Sequence, residues 1–500
     1  MKKQINQSIS LVVSSLLIFQ QSLIAKSIVV DTNAPKQNQA NIDNSRNNIP
    51  IVNIVKPNEK GLSHNKFSDY NVNKEGVILN NSNQREVNTE LAGYIYGNEN
   101  LKQGTAKTIL NEVTSKNRTQ LKGFTEIAGD KANVVVANPN GIYINGAGFI
   151  NTNKATITTG NPNIINGEIN SFEVKQGEIN IDGNGLNLSN VNKAELYAQT
   201  VKLNAKIQAQ DLDIVTGKNS IAKNGTITNI ENLESKDDDK PTLSLDSSSL
   251  GGIYANKINL IGTQKGVGVN LPIEIMSQYD LKLSADGKIV LDKVISQKNI
   301  DIKSDSSDIN SKTIYAKNVN IEAKKSIKNE DVIASKINID LKAKNIVNEN
   351  LIASGVEKDL KDSNSGNLNL QSENLENKKT LYAKDNIDIK TDNLENISGN
   401  IQALKDINIT SKNIDNENGT IVTNENLNIQ NTNFKNQNGT LQASKNLLLN
   451  TNSFKGDKSI FQGGQIDIFL DSFIAKNSEI TLINGDLNIN SNEVKLQKSG

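Results

Sequence analysis

The chain contains no cysteine, no tryptophan and a single histidine in 500 residues, and aromatic residues make up only 4% of it. Without cysteine it can form no disulfide, present no thiolate nucleophile and hold no Cys-ligated metal. Arginine is almost as scarce, with Arg46, Arg85 and Arg118 as its only occurrences. Since the guanidinium fork is the usual means of gripping phosphate or carboxylate in two places, this scarcity argues against such sites. No charge of one sign dominates: Lys+Arg and Asp+Glu are both 55, giving a formal net charge of +0. The basic footprint of a nucleic-acid binder is therefore missing, and no nucleic-acid partner is expected. Apolar residues are also few, at 35% with a mean hydropathy of -0.48. A chain of this length and composition cannot build one thick core. It must be either disordered or organised around a thin, repeated core, and periodicity decides between the two.

The N-terminus reads as an address. Lys2 and Lys3 precede a mostly apolar run, Ile9 to Ile24, which Ser and Gln interrupt, and small Ala25 follows. That order of charge, short apolar segment and small residue is a secretory signal peptide, placed at 1–25. The run is too short and too broken for a membrane anchor, and no later stretch is apolar enough to span a bilayer.

The second half carries a repeat. Gly399, Gly419 and Gly439 recur every 20 residues, followed by Ile401, Ile421 and Leu441, then Ile407, Leu427 and Leu447, then Ile409, Ile429 and Leu449, then Ile414, Phe434 and Phe454. One unit earlier Leu381, Ile387, Ile389 and Leu394 keep the register, with Lys379 in place of the glycine. Within each unit apolar and polar residues alternate, which marks strands with one buried face. The segments between strands are too short for crossover helices. Equivalent aliphatics therefore stack turn on turn, and the expected fold is all-β, a right-handed parallel β-helix of three strands and about 20 residues per turn.

Asn396, Asn416 and Asn436 fall in one column, and Asn386, Asp406, Asn426 and Asn446 in another. Stacked amides can bond along the axis, and Asn and Gly both suit left-handed turn geometry. Ile407, Ile409, Ile421, Leu427, Ile429, Leu441, Leu447 and Leu449 should point inward, and Lys405, Glu425 and Lys445 outward. Alternation runs through Leu487-Asn-Ile-Asn490 to Val494-Lys-Leu496 with no cap in view, so the chain is expected to belong to something longer.

The first half carries three blocks: Ile51-Val-Asn-Ile-Val-Lys-Pro-Asn-Glu-Lys-Gly-Leu-Ser-His-Asn-Lys-Phe67 with Val77-Ile-Leu-Asn-Asn-Ser82; Asn133-Val-Val-Val136 leading into Ala137-Asn-Pro-Asn-Gly-Ile142; and Leu250-Gly-Gly-Ile-Tyr-Ala255 with Gly266-Val-Gly-Val269. In kind and order they resemble the secretion domain of filamentous haemagglutinin-type exoproteins, the passengers of two-partner secretion. The resemblance implies a capped β-helix with extra-helical strands over 26–285 and haemagglutinin-like repeats over 286–500. It implies export through a cognate outer-membrane β-barrel transporter with periplasmic domains, in a Gram-negative bacterium. The whole protein is then expected to be a filamentous adhesin, with the stalk of a contact-dependent toxin, or a cytolysin of the same export class, as alternatives. Receptors on host or neighbouring cells are the further partners expected.

By the same resemblance the secretion motif comprises Asn98, Asn100 and Leu101, and Asn138, Pro139, Asn140, Gly141 and Ile142. The family usually has Asn-Pro-Asn-Leu at the first site, where this chain has Asn98-Glu-Asn-Leu101. Glu99 lacks the fixed φ of proline, so Asn98 and Asn100 must hold that turn. At the second site Pro139 presets φ and Asn140-Gly141 suits positive φ in a tight turn between strands.

Catalysis is not expected. Ser63, His64 and Asp69 are neighbours in sequence, whereas triad members converge from separate places. No second His or any Cys is available for zinc. Lys236-Asp-Asp-Asp-Lys240 lacks the spacing of a calcium loop and reads as a solvated loop. A polysaccharide-cleaving β-helix would need clustered carboxylates beside a basic residue, and none is evident. No cofactor is expected.

Overall fold

The computed structural model describes residues 27–230 and 240–497. The expected signal peptide, and most of the Lys236–Lys240 loop, lie outside those residues. The helical segments among the described residues are two single 3-10 turns, Lys36–Asn38 and Glu99–Leu101. A single hydrogen-bonded system of 42 strands winds through about 18 turns of a parallel β-helix.

A regular turn has three sides, formed by Asn400–Ala403, Ile407–Thr410 and Asn413–Asp415. Each side pairs in parallel with its equivalents one turn before and one turn after. Because side chains alternate along a strand, this register stacks like on like. One interior column runs Leu381, Ile401, Ile421, Leu441, Phe461. Another runs Ile387, Ile407, Leu427, Leu447, Ile466. A third runs Leu394, Ile414, Phe434, Phe454, Phe473, its last rings stacked 5.1 Å apart. All eight aliphatics expected inside are at most 1% exposed. Lys405 and Lys445 are exposed as expected. Glu425 is not: it is half-buried because Lys445 of the next turn holds its carboxylate.

Both amide columns form. Asn329, Asn348, Asn377, Asn396, Asn416 and Asn436 are each at most 1% exposed. Each Nδ2 donates to the Oδ1 of the next member at 2.6–2.8 Å. Outside, Asn426 donates to Asp406 at 2.9 Å and Asn446 to Asn426 at 3.0 Å.

The repeated glycines serve a different purpose from the one expected. The left-handed residues of these turns are Ser398, Asn418 and Asn438, at φ 57°, 54° and 51°, one position before each glycine. Glycine follows because the inner ladder leaves no room: a Cβ on Gly399 would lie 2.5 Å from the Asn377 carbonyl oxygen, and one on Gly419 would overlap Asn396 and Asn416.

The N-terminus closes the helix with antiparallel strands. Ile28–Val30 pairs with Leu62–Tyr70, and Asn41–Asn44 with Pro50–Asn53. Two additions decorate the first half, as the resemblance implied. A four-stranded antiparallel sheet of Asn161–Ile165, Glu168–Val174, Asn219–Ala222 and Ile227–Asn229 packs Phe172, Val174 and Ile221 on outward-facing Leu62, Leu110, Val135 and Tyr197. A hairpin, Glu86–Thr89 with Gly93–Tyr96, covers Ile51, Ile78 and Ala128.

Replacing Leu427 with Asp puts an unpaired charge into a dry column and should cost several kcal/mol. Thermal unfolding should therefore shift to markedly lower temperature, and an unshifted transition would refute the assigned column.

Candidate functional site

The two asparagine turns are built alike. In the first, Asn98 Oδ1 accepts from the Asn100 amide at 3.0 Å, while its Nδ2 donates to the carbonyls of Ile54 and Asn80. Asn100 Nδ2 also donates to the Ile54 carbonyl, at 3.1 Å. The Asn98 side chain thus caps the 3-10 turn that holds Glu99, and Leu101 is fully buried. Replacement of proline by Glu99 is tolerated because paired amides, not a fixed φ, carry the turn.

In the second, Asn138 Oδ1 accepts from the Asn140 amide at 2.9 Å. Its Nδ2 donates to the Asn117 carbonyl and to Thr119 Oγ1, both at 2.9 Å. Asn140 Nδ2 reaches the Ser115 carbonyl at 2.8 Å. Gly141 N–H closes the turn onto the Asn138 carbonyl at 3.1 Å. Asn at the first place, Pro at the second and Gly at the fourth is the signature of a type I turn. Gly141 alone takes positive φ, at 101°, and Asn140 does not, which corrects the expectation for Asn140. Asn138, Gly141 and Ile142 are buried, while Pro139 and Asn140 are half-exposed. The two turns are separate in sequence, but each ties one turn of the helix to another through buried amides.

His64 does not meet Ser63 and Asp69. Along the strand Leu62–Tyr70, Ser63 is buried and donates to the Val55 carbonyl at 2.7 Å, whereas Asp69 accepts from Asn117. His64 Nε2 instead lies 2.6 Å from Glu112 Oε2, with Lys66 3.6 Å away. Burial opposes ionisation of Glu112, yet the His64 hydrogen bond and the Lys66 charge prevail and hold its carboxyl below the usual value. Glu112 could not be found from sequence spacing, since only the register of Lys66 against Glu112 brings it there.

Two more carboxylates are buried, one under the hairpin and one between adjacent turns of the helix itself. Glu126, 4% exposed, accepts the Glu90 and Leu91 amides at 2.6 and 2.8 Å and clamps the hairpin turn; burial pushes its carboxyl up. Glu195, equally dry, meets Lys154, Lys193 and Thr156. Burial would raise its carboxyl, but the Lys154 charge, the Thr156 hydrogen bond and Lys193 lower it on balance.

Cap, additions and buried turns define a capped β-helix whose first turns are shaped by asparagine amides. The chain belongs to the TPS (two-partner secretion) secretion domain family, whose model matches residues 26–291. Among curated relatives, it is 42% identical over 291 residues to "16S rRNA endonuclease CdiA" of Enterobacter cloacae and 44% identical over 265 residues to "Toxin CdiA" of Yersinia pestis. Those matches cover 58% and 53% of this chain but 8% of each relative, so the chain spans a small part of the length of the proteins it matches. The crystal structure of a filamentous hemagglutinin secretion domain aligns with a TM-score of 0.53 and 27% identity, covering 58% of this chain and 97% of that one. The chain carries a two-partner secretion domain, which implies export across the outer membrane of a Gram-negative bacterium by way of a cognate transporter.

Asn138→Ala strips partners from three buried or half-buried groups and should destabilise the domain by about 1–3 kcal/mol; Pro139→Ala should cost less, and thermal unfolding of the two variants compares them. Glu195→Gln tests the electrostatics. A carboxyl held below its ordinary value of 4.5 contributes stability that is complete above that value and is lost as pH falls through the lowered one. The melting-temperature gap between wild type and Glu195→Gln should be widest at neutral pH and close toward pH 3. A gap independent of pH would exclude the assigned pairing.

Proposed function

We propose that this chain is the export end and the proximal shaft of a contact-dependent toxin-delivery exoprotein, with residues 1–25 acting as the signal peptide that brings it to the periplasm. What carries this reading is the relationship to the named CdiA toxins across the secretion domain. A filamentous adhesin remains the second reading, favoured by the hemagglutinin secretion domain that shares the fold. In either case these residues perform no catalysis themselves: the helix supplies an export signal and a stiff spacer, and partners on the surface of a neighbouring or host cell are met farther along the protein. Nucleic acid is not a partner of this segment, since its charges cancel and arginine is nearly absent.

The mechanism follows from local contacts. The transporter pore passes an extended chain, and the absence of cysteine leaves nothing to cross-link that chain beforehand. Outside, each new turn pairs with the one already folded, twenty residues back in the regular repeats. Such stepwise burial biases movement outward without nucleotide hydrolysis.

Deleting Asn138–Ile142 should block export while leaving synthesis intact. A cysteine pair at Asn408 and Asn428, neighbours on adjacent turns, should stall the oxidised chain in the periplasm and be released by reductant. Undiminished secretion of the cross-linked protein would refute threading. Growth inhibition of neighbouring cells by producers of the whole protein, against adherence without killing, separates the toxin reading from the adhesin one.

A further inference from the structure

One side of the shaft carries a charge pattern that its own folding does not require. On the side that includes Ile407–Thr410, two rows of side chains face outward, two residues apart along each strand. The first row runs Asp301, Asn320, Asp340, Asn369, Asp388, Asn408. The second runs Lys303, Glu322, Lys342, Gln371, Lys390, Thr410. Aspartate and lysine thus share a turn three times, and each such turn is followed by one that has asparagine in the first row and no lysine in the second. Like charges stacked ~4.8 Å apart repel, which accounts for a neutral residue between successive aspartates. It does not account for lysine on the same turns as aspartate. The neighbouring side, from the turn of Thr313 and Tyr315 to that of Asn400 and Gln402, has no charge facing outward.

The two rows are open and preformed. Lys303, Asp340, Lys342 and Lys390 are exposed, and Asp301 and Asp388 half-exposed. Each aspartate accepts through Oδ1 from the asparagine of the next turn: Asp301 from Asn320 at 3.3 Å, Asp340 from Asn369 at 2.7 Å and Asp388 from Asn408 at 2.9 Å. These bonds hold the carboxylates in line along the axis, so little freedom is lost on binding. The insertion at 355–366 leaves the rows uncovered, because its Val356 packs on Ala334 and Ala353 of the neighbouring side.

We propose that this side is a self-association face, on which a second copy of the chain docks in parallel. The argument is charge complementarity. When two copies face each other about a twofold axis along the helix, the first row of one lies opposite the second row of the other, level for level. Asp301, Asp340 and Asp388 then meet Lys303, Lys342 and Lys390 of the second copy, and the reverse, with Asn369 opposite Gln371 between them. An antiparallel copy would instead set aspartate row against aspartate row. The pattern therefore selects one partner and one orientation. Five steps of ~4.8 Å make the strip roughly 24 Å long, too small for the ~800 Å² per partner of a standard interface. Free chains accordingly associate weakly, and the contact gains strength among rods held side by side, where effective concentration is high. Neither the toxin nor the adhesin reading is needed for it.

Sedimentation velocity on the purified chain, over a rising concentration series, tests this. Wild type should dimerise reversibly, and less so as salt screens the charges. Asp340→Lys/Asp388→Lys makes those turns all-positive, and Lys342→Asp/Lys390→Asp makes them all-negative. Each variant alone should dimerise about tenfold more weakly than wild type or worse. Their equimolar mixture should dimerise at least as tightly as wild type, an outcome that also shows both to be folded. Glu376→Lys/Glu395→Lys, on the third side, carries the same charge change as the all-positive variant. Alone it should self-associate within about twofold of wild type. Mixed with the all-negative variant it should bind about tenfold more weakly than the swapped pair does, although the net charges are the same. A wild type that stays monomeric at every concentration, or a swapped pair no tighter than that control mixture, would overturn the face.

Discussion

The structure depends on one constraint: every strand must find its equivalent in the next turn, in register, at the ~4.8 Å spacing of hydrogen-bonded strands. Parallel backbone pairing alone would tolerate slippage, but the amide ladders do not. Inside, Asn396 donates forward to Asn416; outside, Asn413 donates backward to Asn393. An incoming turn must therefore offer an acceptor within and a donor without, at fixed positions. A one-residue slip would bury a polar amide against an aliphatic column and expose the column itself. The ladders thus supply a register that a core of nearly interchangeable Ile and Leu could not define unaided.

Much of this was legible because the repeat states it plainly. Where the period holds at 20, as from Leu381 to Ile401 to Ile421, inward residues and both amide columns can be read directly from the sequence. The role of Gly419 was not legible, since glycine at a turn suggests positive φ, and only the packing of Asn396 and Asn416 against it reveals a need for empty space. Glu425 was misplaced for a related reason. Alternation assigns it to the outer face, but pairing with Lys445 of the next turn draws it partly under cover. Alternation describes one strand at a time, and contacts between turns modify it.

The decorations show where sequence reading stops. Glu168–Val174 pairs with Asn219–Ala222 about fifty residues on, across intervening turns of the helix. No periodicity links such strands; they are held by Phe172 and Ile221 on Tyr197 and its neighbours. The asparagine turns were visible as family phrases and as turn chemistry, yet their likeness emerges only in three dimensions. In both, one side chain accepts from the amide two residues on and donates to carbonyls of neighbouring turns.

The contrast between the two halves bears on export. In the regular shaft, contacts close over about twenty residues, so a turn can fold as soon as it and its predecessor are free, and loop-closure entropy stays small. The first half requires more: cap strand Ile28–Val30 waits for Leu62–Tyr70, and the extra-helical sheet waits for residue 229. Contact separation alone therefore predicts slower folding there than in the shaft it precedes. On the proposed threading route, a chain that reaches its transporter before becoming a rod benefits from that order of events. The long-range cap delays the nucleus on which the turns would stack, while the shaft, once it has a folded neighbour, needs only the next twenty residues to advance. Stability and timing therefore follow from the same feature, the range in sequence over which each hydrogen bond reaches.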